Sequence, residues 1–272
     1  MRKLLFAVLF WAPSVLWAQP FDAFPQWDSD TRYPPGVVVR HLSHLWVASR
    51  PNQAQAPHQH PHWVRAQLVD APQWQADRRY ALGDTVIYQG THYLARQMAR
   101  QSPDHPSGSQ KWVAFEHPAI GYELPVIDDA TANATLLGVD SNQNGIRDDY
   151  EVFVVMTYSG QAREVGLNAG RSYQLTLEAN EIVAASWSKE KVSTLFDVRV
   201  NLISCKHQIK KEDPKYTGFK HKYLNTLERF MADRRHQDIL LDLLGDEYYP
   251  NFNDEDPCGF AVSSIASLES ML

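Results

Sequence analysis

The chain has little of several features that would define a function directly. Of its 272 residues only two are cysteine, and no apolar run reaches the roughly 20 residues that a membrane-spanning helix needs. The formal net charge is -6, which disfavours a nucleic acid or an anionic membrane as a general partner. The sequence has no His-Glu-x-x-His motif, no Gly-x-Ser-x-Gly motif and no Cys/His nucleophile pattern. We therefore predict no catalytic site.

The N-terminus is typical of a secretory signal peptide that covers residues 1–18. Arg2 and Lys3 precede a short apolar stretch that ends in Leu16-Trp17-Ala18. Cleavage after Ala18 would release a secreted protein, extracellular or periplasmic, without contact with the membrane. A retained membrane anchor is the alternative.

A repeat of forty-seven residues organises the first half of the chain. Aromatic, glycine and aliphatic residues recur at identical spacing in two copies: Trp27, Tyr33, Gly36, Val39, Trp46 and Ala48, then Trp74, Tyr80, Gly83, Val86, Tyr93 and Ala95. Such agreement indicates a duplication. Each copy has two β-rich runs around a turn signal, Leu42-Ser43 or Gln89-Gly90. We predict two small all-β modules of short antiparallel strands, at residues 22–67 and 71–116.

The second copy resembles the chitin-binding type 3 modules, which form carbohydrate-binding families five and twelve. The resemblance rests on Trp74, Tyr80, Gly83-Asp84-Thr85-Val86, Tyr88, Gly90, Tyr93-Leu94-Ala95 and Trp112-Val113. It implies adhesion to chitin or a related β-linked, insoluble polysaccharide. The first copy is more divergent, and two tryptophans that often follow the Tyr-x-Ala element are replaced by Arg50-Pro51 and Gln97-Met98. The resemblance therefore implies sugar binding more firmly than chitin itself.

Aromatic residues suit this role because a flat ring can cover the apolar face of a pyranose and remove it from water. The candidate sugar contacts are the aromatic residues at predicted strand ends and loop rims: Trp27, Trp46, Trp63, Trp74, Tyr93 and Trp112. Modules this small also need large aromatics in their cores, where we place Tyr33, Tyr80 and Tyr88. Two linked modules would bind a polymer with avidity, roughly 10²-fold or more above one module.

Two segments could hold metal ions. His58, His60 and His62 could bind a transition metal, but no acidic or Cys partner completes a site, so we interpret them as a polar loop. After a linker at residues 117–139, the segment 140–151 has the spacing of a calcium loop, with a glycine at its sixth position and Arg147 at its eighth. The predicted ligands are Asp140, Asn142, Asn144, Asp148 and Glu151, with the carbonyl of Ile146. An Asn-Gly turn before an acidic helix N-terminus is the alternative.

The calcium loop resembles the Asp/Asn-rich loops of secreted bacterial proteins, and calcium is therefore the predicted structural cofactor. Residues 149–272 are predicted to be mainly α-helical, because apolar residues recur at three- and four-residue spacings in 150–156, 171–186, 189–206 and 223–244. Export favours a disulfide between Cys205 and Cys258 over two separate buried thiols.

Three functions are compatible with this organisation. The preferred one is a secreted, non-catalytic binder of chitin or a related polysaccharide. A glycoside hydrolase with its site in the helical domain is the alternative, although roughly 120 residues are too few for the barrel of about 250 that chitinases commonly use. A role of the duplicated modules in protein assembly is a third hypothesis.

Overall fold

The computed structural model describes residues 18–99, 105–214 and 216–269. It divides the chain into one unit that ends at Ile120 and a second that begins at Gly121. The first unit consists of short antiparallel strands and the second of helices, so the predicted two-part architecture is confirmed. The predicted signal peptide lies outside the described residues, apart from Ala18. No described helix has both the length and the apolar character to cross a bilayer.

Each sequence repeat forms one three-stranded antiparallel sheet with its strands in chain order. The strands of the first repeat are β1 (Arg32–Tyr33), β2 (Val38–His41), β3 (His44–Ala48), β4 (Asn52–Gln53) and β5 (Trp63–Arg65), of which β1 and β4 form a separate two-stranded sheet. Those of the second are β6 (Thr85–Tyr88), β7 (Thr91–Ala95) and β8 (Trp112–Ala114). The register agrees between the repeats, since Val39 pairs with Trp46 as Val86 pairs with Tyr93.

Both hairpins turn where the sequence predicts. The central residues Leu42 and Ser43 have φ of 47° and 61°, and Gln89 and Gly90 have 51° and 78°. A two-residue turn whose twist matches that of the flanking strands requires positive φ at both of its central residues. The hairpin predictions are therefore confirmed.

Buried aromatic pairs fill the core of each repeat in the same way. Tyr33 meets Trp63 edge-on at 5.2 Å between ring centroids, and Tyr80 meets Trp112 at 5.3 Å. Each tyrosine hydroxyl accepts a hydrogen bond of 2.7 Å from the backbone N–H five residues earlier. The predicted core positions of Tyr33 and Tyr80 are confirmed, while Tyr88 is half-buried at the margin of the core.

The two repeats pack against each other through equivalent glycines. A Cβ on Gly83 would lie 2.5 Å from Cγ1 of Val64 in the first repeat, and one on Gly36 would lie 3.0 Å from the carbonyl oxygen of Arg96 in the second. Both glycines have positive φ, and the Arg96 Nε donates to the Gly36 carbonyl at 2.8 Å. The duplicated modules thus share one compact unit, and His117, in the predicted linker, is buried within it.

The second unit contains eight helices among its described residues. They are α1 (Asp129–Ala132), α2 (Asp148–Thr157), α3 (Gly160–Glu178), α4 (Glu181–Ala184), α5 (Lys189–Glu212), α6 (Lys220–Tyr223), α7 (Leu227–Leu244) and α8 (Pro257–Glu269). Caps define several of the boundaries, because Ser188 and Thr226 accept hydrogen bonds from the first turns of α5 and α7.

One predicted helix differs from the structure. The pattern over 171–186 predicts a single helix, but α3 begins at Gly160 and ends at Glu178. The side chain of Asn180 accepts hydrogen bonds from the backbone of Ile182 and Val183 and so starts the separate helix α4. A local cap therefore divides an otherwise continuous apolar pattern.

The predicted disulfide between Cys205 and Cys258 is confirmed. It joins α5 to α8 with the two Cα atoms 4.8 Å apart, and both residues are fully buried. The cross-link spans 53 residues. In the chain-entropy description, closure of a loop of that length stabilises the folded state by about 4 kcal/mol.

Candidate functional site

Four of the six aromatic residues predicted to contact sugar are buried. Trp46, Trp63, Tyr93 and Trp112 expose only 5–7% of their surface. The indole N–H of Trp46 donates to the His41 carbonyl at 3.0 Å, and that of Trp63 donates to the Gln55 carbonyl at 2.9 Å. Rings held in this way inside the sheets offer no face to a sugar. The candidate contacts therefore narrow to Trp27 and Trp74.

Trp27 and Trp74 occupy equivalent positions and are both half-buried. Each lies edge-on to a ring from the end of the first hairpin strand of its own repeat. The centroids of Trp27 and His41 are 5.1 Å apart, and those of Trp74 and Tyr88 are 5.4 Å apart. Backbone hydrogen bonds of 2.9 Å, from Trp27 to Arg40 and from Trp74 to Ile87, hold both tryptophans beside these strands.

A histidine from the long loop of each repeat adds a third ring. His58 stacks on His41 at 5.0 Å, and His105 lies tilted beside Tyr88 at 6.0 Å. We call Trp27, His41 and His58 the first ring row, and Trp74, Tyr88 and His105 the second ring row. All six residues are partly exposed. Each residue of the first row lies forty-seven positions before its counterpart in the second row.

Four members of these rows were not predicted from the sequence as sugar contacts. Tyr88 was predicted to lie in the core and His58 in a polar loop, and His41 and His105 were not singled out. The repeat contains a signal for the two histidines, because the positions of His58 and His105 differ by the same forty-seven residues as those of Trp27 and Trp74. The sequence does not show, however, that the long loop folds back onto the strand and brings these histidines to the other rings.

His41, in the first ring row, is neutral at physiological pH. The His41 Nε2 and the His58 Nδ1 are 2.8 Å apart, so one of the two nitrogens donates a hydrogen bond to the other. Burial lowers the pKa of His41 to about 4, and the neighbouring His58 contributes to the shift. His41 therefore presents an uncharged ring beside Trp27, as a platform for an uncharged ligand would.

The predicted calcium loop brings its first, third, fifth and twelfth positions together. The Asp140 carboxylate accepts hydrogen bonds from the backbone N–H groups of Asn144 and Gly145, at 3.1 and 2.8 Å. The Glu151 carboxylate accepts from the side-chain amides of Asn142 and Asn144, at 3.2 and 2.9 Å. Glu151 is buried at the start of α2. The helix therefore carries a carboxylate into the concave side of the loop.

The other two predicted ligands also lie in the loop. The Asp148 carboxylate accepts from the Ser141 N–H at 3.0 Å, and the N–H of Ile146 donates to the Asn144 side-chain oxygen at 2.9 Å. Burial raises the pKa of Asp148, two hydrogen bonds from Ser141 oppose the rise, and the nearby Asp140 adds to it. Carboxylates that repel one another in a partly buried loop favour a cation between them.

Within the described ranges, no three His, Cys, Asp or Glu side chains are grouped so that they could hold a metal ion. Calcium takes carboxylate, amide and carbonyl oxygens as its ligands. Asp140, Asn142, Asn144 and Glu151 supply such oxygens from one loop.

Two fully buried arginines anchor this loop, and the sequence marks only one of them. Arg147, at the eighth loop position, forms an ion pair with Asp149 and donates to the Tyr223 carbonyl at 2.8 Å. Arg229 donates to the carbonyls of Leu136 and Ala132, at 2.9 and 2.8 Å. Both side chains thus tie the region around the loop to α6 and α7. No sequence pattern singled out Arg229.

In comparisons with protein-family models and with curated proteins, the chain matches none. Its function is therefore inferred from the chemistry of the residues themselves.

Proposed function

We propose that this protein is a secreted carbohydrate-binding protein that adheres to chitin or a related insoluble polysaccharide through its two ring rows. The observation that carries the proposal is the duplication of the three-ring arrangement, with a ring at three equivalent positions of each repeat. Trp74 and Tyr88 also pack against the core of the second repeat, but they stay partly exposed, whereas the rings of the pairs Tyr33 with Trp63 and Tyr80 with Trp112 are buried. The additional, partly exposed rings are therefore candidates for a surface function.

Ring rows suit a sugar polymer for two physical reasons. The apolar face of a pyranose that settles on an indole is removed from water, which contributes roughly 25 cal/mol for each Å² of apolar surface. A single shallow contact of this kind is weak. Two rows on one chain convert the second contact into an intramolecular event, so avidity favours a repeating polymer over a free sugar.

Polar groups near such rings would select among sugars by hydrogen bonding. The second repeat contains a polar cavity of about 190 Å³ whose lining includes Asp70, Arg78 and Asp84. The resemblance to chitin-binding type 3 modules supports the same class of ligand. Export is supported by the signal-like N-terminus and by the Cys205–Cys258 disulfide, since disulfides persist in oxidising compartments.

Polymer pull-down tests this proposal directly. The full chain is mixed with insoluble chitin, cellulose and other polysaccharide powders, and the fraction left in solution is measured. We expect binding to at least one polymer, with a loss of roughly 10²-fold when Trp27→Ala and Trp74→Ala are combined. Tyr249→Ala is the matched control, because that ring is 85% exposed in the helical unit. Retention of full binding by the double variant would refute the role of the ring rows.

We further propose that the loop 140–151 holds a structural calcium ion. Asp140, Asn142, Asn144, Asp148 and Glu151 would supply side-chain oxygens, and Ile146 its carbonyl. The ion would draw the carboxylates of the loop together, neutralise them and fix the start of α2. With three carboxylates in the set, we expect the weak affinity of extracellular sites, roughly 10⁻⁴ to 10⁻³ M.

Thermal unfolding with and without calcium tests this site. At a calcium concentration about thirty times the dissociation constant, we expect a stabilisation of about 2 kcal/mol by mass action. Glu151→Gln should abolish the calcium-dependent increment, whereas Asp246→Asn, an exposed change after α7, should leave it intact. An unfolding temperature that is insensitive to calcium in the unaltered protein would exclude the proposed ion.

A further inference from the structure

The helical unit contains a cleft that none of the foregoing uses. It has a volume of about 470 Å³ and lies between α3, α5, α7 and the segment that leads into α6. Its size is within the range of roughly 300–1,000 Å³ that is typical of small-molecule sites. Apolar and aromatic side chains make much of its lining, among them Tyr173, Phe196, Val200 and Phe219.

The charged groups at this cleft are cationic. Arg199, Lys206 and Lys220 line it, and none of its described lining residues is acidic. One carboxylate lies behind them, that of Asp233, which is fully buried. It pairs with Arg199 at 3.1 Å and with Lys220 at 2.8 Å. Two of the three cationic side chains therefore share a single carboxylate, which leaves the cleft positive in a chain whose net charge is -6.

Lys206 is the cation with no counter-charge. Among the described residues it has no ion-pair partner, and it is exposed on α5, one turn beyond Ile203. Ile203 is 64% exposed although it also lines the cleft. Burial lowers the pKa of the nearby His221, and the charges of Lys222 and Lys206 lower it further. The positive charge at the cleft therefore contributes to the lowered pKa of His221.

We propose that this cleft binds a small anionic amphiphile, a molecule with an apolar body and a carboxylate or phosphate head. The body would lie against Val200, Phe219 and the other apolar side chains. The head would meet Lys206 and Lys220, which are exposed enough to reorient toward it. Hydrogen bonds from ammonium groups to an anionic head would be charge-assisted and therefore stronger than neutral ones.

Titration calorimetry of the full chain with decanoate, decyl phosphate and decanol tests this site. Decanoate or decyl phosphate should bind with one-to-one stoichiometry, and the tighter of the two identifies the class of head group. Decanol, which has the same tail without the charge, should bind about tenfold more weakly. Binding of decanol as tightly as both anions would overturn the proposal, and so would the absence of saturable binding by either anion.

Variants at exposed positions locate the site without disturbing the fold. Lys206→Gln should weaken binding of the preferred anion about tenfold. Lys189→Gln is the matched control, since Lys189 is exposed in the first turn of the same helix and does not line the cleft. Equal affinity of both variants would overturn the assignment. Polysaccharide binding by Lys206→Gln should be unchanged, so this result is independent of the ring rows.

Discussion

Acid should destabilise the β unit through His117, because this buried ring is held in one neutral tautomer. Only 5% of the residue is exposed. Its Nε2 donates to the Ser43 carbonyl at 3.1 Å, while its Nδ1 accepts from the Ala119 N–H at 3.0 Å. A proton on Nδ1 would face the Ala119 N–H and would replace that hydrogen bond by a repulsion.

The magnitude follows from the pKa of the ring. Burial lowers the pKa of His117 to about 4, with His44 adding to the shift and the hydrogen bond to Ser43 opposing it. The unfolded chain, with a pKa near 6.5, then binds one proton more than the folded chain between pH 6.5 and 4. The stabilisation is complete above pH 6.5 and falls by about 1.4 kcal/mol per pH unit, a total of about 3 kcal/mol.

Urea unfolding followed by tryptophan fluorescence at pH 7, 6, 5 and 4.5 measures this loss. Other groups titrate in the same range, including His41, so the informative quantity is the difference between the unaltered protein and His117→Gln. Glutamine can keep both hydrogen bonds, donating to Ser43 and accepting from Ala119, but it takes up no proton. We expect the variant to lose less stability on acidification by roughly 2–3 kcal/mol. Parallel pH profiles for the two proteins would refute the reasoning.

Two further predictions concern packing. Gly83→Ala should lower the free energy of unfolding by more than 1 kcal/mol beyond the loss caused by Gly90→Ala. Both glycines have positive φ, but only at Gly83 would the added Cβ meet the other repeat. Equal losses of the two variants in urea titrations would show that the close approach is unimportant. Arg229→Met should destabilise the helical unit by about 3 kcal/mol, because the buried carbonyl of Ala132 and the part-buried carbonyls of Leu136 and Thr135 lose their donor. Arg229→Lys should recover less than half of that loss in thermal unfolding, since lysine lacks the planar fork, and full recovery would contradict this role.

Local features of the fold were accessible from the sequence. The turns at Leu42-Ser43 and Gln89-Gly90 lie between short β-rich runs, so the nearest neighbours along the chain define both hairpins. The helix α7 ends at Leu244, the last apolar residue of its pattern, and the next residue, Gly245, has a φ of 77°. The long helix α5 likewise follows from the apolar periodicity. The disulfide between Cys205 and Cys258 was predicted from the export that the N-terminus indicates.

The candidate site was only partly accessible. Trp27 and Trp46 look alike in the sequence, since both are tryptophans of the same repeat near a predicted strand. Trp46 lies on β3, the central strand of its sheet, and is buried. Trp27 precedes the first strand and stays partly exposed. Whether a tryptophan is buried or exposed depends on how separate strands and loops pack together, and the local sequence around the residue does not reveal that packing.

The sequence by itself determined the duplication, the hairpins, the oxygen-rich loop and the order of β and α parts, because each depends on residues a few positions apart. The tertiary structure alone decided which rings face outward, that His58 stacks on His41, and that Arg199 and Lys220 converge on the single carboxylate of Asp233. These arrangements join segments separated by long stretches of chain. Burial and electrostatic pairing are properties of the packed whole, and they arise only when distant elements meet.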